Sequence, residues 1–229
     1  MSDAMNELHR KAALRLLLLP IGLALVLFLP AGTLAWWQAW LFIAVFTACS
    51  VALTIYLAVT DPQLLARRMK AGPRAETEPA QKIIMVLVIV GFTAAIVIAA
   101  LDRRFGWSAV PAAVVILGDL LVVLAHVAFT IVFRANTFAA STIRLSENQT
   151  VISTGPYAVV RHPMYSGALL LVLGFPLALG SWVGLVPMVP SLAALVWRII
   201  DEERFLCRNL GGYADYMDTV RWRLVPGVW

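Results

Sequence analysis

Apolar runs long enough to cross a bilayer recur along the chain, at about 13–30, 36–59, 83–101 and 109–133, followed by a shorter pair at about 165–180 and 183–200. A hydrocarbon core of roughly 30 Å takes helices of about 17–25 apolar residues. Inside it, every backbone N–H and C=O must be bonded within the protein. With 61% hydrophobic and 14% charged residues, and with no strand-like alternation, the chain reads as all-α. The expected architecture is a single polytopic helical bundle of about six membrane segments. Its last two segments form a hairpin broken at Gly180-Ser181-Trp182.

The first run follows Arg10, Lys11 and Arg15 and passes through PAGTLAWW into the second run without a small-x-small cleavage site, so it reads as a retained helix. Pro20, Pro176, Pro187 and Pro190 lie inside the runs, where a membrane helix tolerates them as kinks. Cys49 and Cys207 form no metal or disulfide pattern, and His9, His126 and His162 lack metal-ligand spacing.

Orientation follows from the loops. With residue 1 on the cytoplasmic side, sixteen of the 18 Lys and Arg residues fall there or at its edge, and Arg103 and Arg104 are the two exceptions. This bias and the attraction of anionic lipid account for the net charge of +5, so no nucleic-acid partner is called for. The setting expected is a bacterial inner membrane with the polar segments facing the cytoplasm.

Three such segments follow. DPQLLARRMKAGPRAETEPAQK, residues 61–82, mixes charge with Pro and Gly and reads as a partly helical connector. Within residues 134–161, β-prone pieces flank Ser146-Glu147-Asn148, a pattern that fits a small hairpin. Residues 201–229 are amphipathic, with Phe205, Leu206, Leu210, Tyr213 and Tyr216 suited to packing on the bundle or lying in the interface.

Chemistry concentrates in three places. In TGPYAVVRHPMYSG, residues 154–167, Gly155-Pro156 makes a turn and Pro163 turns His162 away from helix, so a stiff loop ends where a helix begins near Tyr165. Such a loop presents N–H groups, an imidazole and a phenol to one small volume, suited to an anionic or polar ligand; anchoring to lipid headgroups is the alternative. In WRIIDEER, Arg198 and Glu202 stand four apart on one helical face beside Asp201 and Glu203, either as a solvated pair or as part of a site. Asp119, His126, Thr130 and Arg134 share a face of the fourth run, and ionisable groups at such depth face a bundle interior or a wet cavity. Asn136, just beyond, is in reach of a cytoplasmic pocket. No phosphate-cradling loop, dinucleotide fingerprint or serine-hydrolase elbow is present.

GPYAVVRHPMYSG, then an apolar hairpin interrupted at Gly-Ser, then RxxxEE, GGYADY and RLVPG, resembles the isoprenylcysteine carboxyl methyltransferase family, itself similar to phospholipid N-methyltransferases. The resemblance spans roughly residues 130–229, and DPQLLARRM looks like the segment before that family's core. It implies that residues 131–229 form a methyltransferase core using S-adenosylmethionine and no metal. It further implies that Gln149, Thr150, Val151, Ile152, Tyr157, His162, Pro163, Met164, Tyr165, Glu202 and Glu203 meet the cofactor, and that Arg198, with Asn136, meets the substrate. The stretch 136–149 departs from the family pattern.

The function expected is methyl transfer from S-adenosylmethionine to a membrane-embedded, lipid-like acceptor, with a carboxylate of an isoprenoid or prenylcysteine type favoured because of Arg198. Alternatives are methylation of an amine headgroup, a nicotinamide-dependent membrane reductase and, from another class, a transporter or proton relay built on the Asp119–Arg134 stripe. Oligomeric state is left open.

Overall fold

The computed structural model describes residues 2–76, 78–139 and 149–229. Eight α-helices are seen there: α1 (Ser2–Ala31), α2 (Trp37–Thr60), α3 (Pro62–Met69), α4 (Pro79–Phe105), α5 (Ala112–Ala135), α6 (Pro163–Ala178), α7 (Met188–Asn209) and α8 (Tyr213–Thr219). No strand occurs among the described residues, so the protein is all-α. The hairpin expected around Ser146-Glu147-Asn148 lies outside the described residues.

Five helical stretches are long and apolar enough to cross a membrane: α1, α2, α4, α5, and α7 with its preceding turn. The sixth segment, α6, is apolar but has 16 residues, about 24 Å at 1.5 Å per residue, short of a full hydrocarbon thickness. Leu29 and Val59, 73% and 78% exposed, typify an outer surface whose compatible solvent is lipid. Two expected boundaries move furthest. The first helix starts eleven residues early, through a charged turn where Lys11 bonds Glu7 at 2.7 Å, and α7 continues to Asn209, carrying RIIDEER on one unbroken helix.

Small residues set the closest packing. A Cβ on Gly118 of α5 would lie 2.3 Å from the backbone nitrogen of Ala178, and one on Gly174 of α6 would lie 2.8 Å from the carbonyl oxygen of Gly118. The two helices therefore meet backbone to backbone, as membrane helices do where side chains are absent. At the end holding residues 32–36, 106–111 and 179–187, Asp102 accepts from Ser108 (N–H 2.7 Å, Oγ 2.5 Å) and from Ser181 Oγ, which pins the hairpin break. Arg103 donates to the Ala35 carbonyl at 2.7 Å and Arg104 to that of Pro30. These two exceptions to the charge bias thus serve backbone carbonyls in the last turn of α1 and in the connection that follows it.

The opposite end gathers α3, residues 136–139 and 149–162, and everything beyond α7. Asp61 caps α3 through the Leu64 N–H at 2.8 Å, with Pro62 as its first residue.

Candidate active site

The opening loop is built as its residues dictate. Gly155 takes φ +59° to enter a single 3₁₀ turn over Gly155–Ala158, and Pro163 occupies the first turn of α6, where a missing N–H is harmless. Two backbone bonds hold the loop to the tail: Arg161 N–H to the Trp222 carbonyl at 2.8 Å and His162 N–H to that of Arg223 at 2.9 Å. Ser166 Oγ adds a bond to the Leu224 carbonyl at 2.6 Å.

Under this clamp Glu203, 4% exposed, receives three cationic or imidazole groups: Arg161 Nε at 2.7 Å, Arg223 Nε at 2.9 Å and His162 Nε2 at 3.2 Å. Burying so much charge is tolerable only because it is mutually paired. Glu203, expected at the cofactor, does not line the cavity described next. It ties α7 to the loop and the tail.

A cavity with about 110 Å³ accessible to a water-sized sphere opens beside the loop. Its walls include Asn136, Gln149, Thr150, Val151, Ile152, Tyr157, His162, Pro163, Met164, Tyr165 and Glu202, drawn from four separate stretches of chain. Phe138, Ala139, Arg161, Leu206, Leu210, Tyr213 and Tyr216 also line it and were not singled out for this role. The signal for the last four was their spacing along α7 and α8, which sequence alone left open between bundle packing and the membrane interface.

Inside the cavity, Asn136 Nδ2 donates to the Tyr157 hydroxyl at 2.9 Å and the Tyr216 hydroxyl donates to the Tyr157 carbonyl at 2.7 Å. Burial pushes the Tyr157 phenol up to about 12 and raises those of Tyr213 and Tyr216. Tyr165 donates to Glu202 Oε2 at 2.5 Å and accepts from Arg198 Nε at 2.9 Å. The buried Tyr213 hydroxyl has no partner among the described residues.

Arg198 is 6% exposed and is not a wall of this cavity. Its other nitrogens bind Gln81 Oε1 at 2.7 Å and Glu76 Oε1 at 3.0 Å, both from the connector. Gln81 in turn donates to Asp201.

The stripe on α5 does not form a chain of side-chain bonds. His126 Nδ1 donates to the Val122 carbonyl at 2.9 Å, Thr130 Oγ1 to the His126 carbonyl at 2.8 Å, and neither carboxylate oxygen of the buried Asp119 has a partner among the described residues. Arg134 is exposed.

A polar cavity whose described walls include tyrosines, a methionine and the Glu202 carboxylate, at one end of a lipid-facing bundle, suits a charged, partly aromatic cofactor beside a membrane-borne partner. Residues 113–212 match the family model for phospholipid methyltransferase. That stretch runs from the first turn of α5 to the break before α8, and it contains every residue expected at the cofactor. Helices α1 to α4 lie outside it. No curated protein shows significant similarity to the chain. The match and the apolar helices together support a membrane methyltransferase with lipid-related substrates.

Proposed function

We propose that the protein transfers a methyl group from S-adenosylmethionine to a lipid-like acceptor held in the membrane, at the cavity beside His162 and on the cytoplasmic side. The observation that carries the reading is the convergence of Tyr157, His162, Met164, Tyr165 and Glu202 on one cavity, inside the stretch that matches the methyltransferase family.

The residues present suit that cofactor. The Tyr213 hydroxyl, which has no partner among the described residues, and the Glu202 carboxylate offer an acceptor or donor to hydroxyl and ammonium groups, while Leu206, Leu210 and the tyrosines offer faces to a purine. Held in this cavity, S-adenosylmethionine would supply an electrophilic, sulfonium-bound methyl group to the acceptor. Glu202 favours the positive charge of the donor, and Tyr165 holds Glu202 in place through its 2.5 Å bond. Arg198 fixes Tyr165 in turn at 2.9 Å, so in this reading it positions the site through Tyr165. The remaining task of the protein is alignment and exclusion of water.

A carboxylate oxygen is the favoured nucleophile, because it enters as an anion and needs no proton removed before attack. An amine headgroup is the second reading, favoured by the description of the matched family.

Calorimetric titration with S-adenosylhomocysteine tests the cofactor site. Saturable binding that weakens in His162→Ala and Glu202→Ala is expected. No binding, or binding unchanged in both variants, contradicts the proposal.

A further inference from the structure

A second cavity, of about 350 Å³, lies between α1, α2, α3 and α5, largely outside the stretch that matches the family. That size falls within the roughly 300–1,000 Å³ typical of small-molecule sites. Its walls are apolar, with Leu16, Leu53, Leu57, Leu65, Phe129 and Phe133 prominent among them. Two guanidinium groups, Arg15 and Arg68, line the same cavity near α3. Arg15 is held there by a 3.0 Å bond to the Met69 carbonyl.

Arg68 reaches from the second cavity to a wall of the first. Its guanidinium carbon sits 4.9 Å from the centre of the Phe133 ring in the second cavity, and its Nη1 is 3.3 Å from the sulfur of Met164, a wall of the first. The group a carboxylate would meet on leaving the apolar cavity for the first one is therefore Arg68. Arg198, the residue that sequence favoured, lines neither cavity, and its nitrogens bond Tyr165, Gln81 and Glu76.

We infer that the second cavity holds the apolar chain of the methyl acceptor and that Arg68 receives its anionic group, carboxylate or phosphate, next to Met164. The identity of this ligand as the acceptor rests on the methyl-transfer reading above; the cavity and its charge do not. Charge complementarity selects the occupant: an aliphatic chain matches the leucine and phenylalanine walls without needing water, and a planar guanidinium matches carboxylate and phosphate oxygens. An uncharged lipid of the same length gains nothing from Arg68 or Arg15.

The test uses the 229-residue chain in maltoside micelles, with tritiated palmitate as probe in a scintillation-proximity assay. Unlabelled 1-palmitoyl-lysophosphatidate and hexadecanol serve as competitors. Palmitate is expected to bind, with affinity falling about tenfold or more in Arg68→Gln and less in Arg68→Lys, as expected for a charge-assisted contact. Leu53→Trp, which fills the cavity, is expected to abolish binding, whereas Arg204→Gln, an exposed arginine of α7, should not reduce it. Hexadecanol is expected to compete poorly. The stronger of the two anionic competitors identifies the head group as carboxylate or phosphate, and either ranking supports the inference. Palmitate binding that survives both Arg68→Gln and Leu53→Trp, or hexadecanol competing as well as palmitate, overturns it. S-adenosylhomocysteine titration of the same preparations separates the two claims: palmitate binding with the expected pattern but no cofactor binding leaves the cavity standing and removes the methyl-transfer reading.

Discussion

The Tyr165 hydroxyl lies 2.5 Å from Oε2 of Glu202 and, on its other side, 2.9 Å from Nε of Arg198. One phenol therefore orients the only carboxylate among the described residues lining the first cavity and is itself oriented by a buried cation. Tyr165→Phe removes both bonds while keeping the ring. Affinity for S-adenosylhomocysteine should fall about tenfold, in line with roughly 1.5–3 kcal/mol for a hydrogen bond to a charged group. Calorimetry measures it, and Tyr165→Phe should keep the wild-type melting temperature more nearly than Glu202→Ala does.

Glu203 has a different task. Replacing it with Gln leaves Arg161, His162 and Arg223 facing a neutral amide. Breaking a buried pair from one side costs about 3–5 kcal/mol. The detergent-solubilised protein should melt several degrees lower and should become open to proteolysis between residues 220 and 229, because the tail is held to the loop through this cluster.

The cavity phenols set an alkaline limit. Burial pushes Tyr157 up to about 12 and raises Tyr213 and Tyr216 from their ordinary value near 10. A phenol with a raised value binds its proton more tightly folded than unfolded, so its contribution is intact below about pH 10 and is lost as pH climbs from there toward 12. Tyrosinate absorbance should accordingly rise for these groups only as the fold opens. Tyr157→Phe should remove part of the late-titrating signal.

Gly174→Val tests the backbone contact of α5 with α6. A side chain there meets the Gly118 carbonyl oxygen and the Leu121 Cβ, each at 2.8 Å, and overpacking of this kind costs about 1–3 kcal/mol. A clear drop in melting temperature is expected. Gly22→Ala, where nothing lies within 4 Å, should leave it unchanged.

The helices were legible because lipid leaves the backbone few options: apolar runs long enough to span must be helical and their order follows, whereas the polar ends of α1 and α7 extend beyond those runs. Tyr157, His162, Met164 and Tyr165 were expected at the cofactor through the family resemblance, while the shape of the loop that carries them was legible because Gly155 and Pro163 restrict the backbone directly. Partners distant in sequence were not. Nothing local in GPRAETEPAQK marks Glu76 and Gln81 as ligands of Arg198, more than 110 residues away. The bonds from Arg161 and His162 to Trp222 and Arg223 are made by backbone groups, which carry no side-chain signature. The spacing of Arg198 and Glu202 placed them on one helix face but did not reveal that Tyr165 stands between them.

Methyl transfer itself is the central claim. The purified chain, incubated with methyl-labelled S-adenosylmethionine and a membrane lipid extract, should move label into the organic phase, with the rate falling about tenfold or more in Glu202→Gln if that carboxylate steadies the donor. Base-labile label would identify an ester and base-stable label an N-methyl product. Folded protein that moves no label above a boiled control would contradict the account.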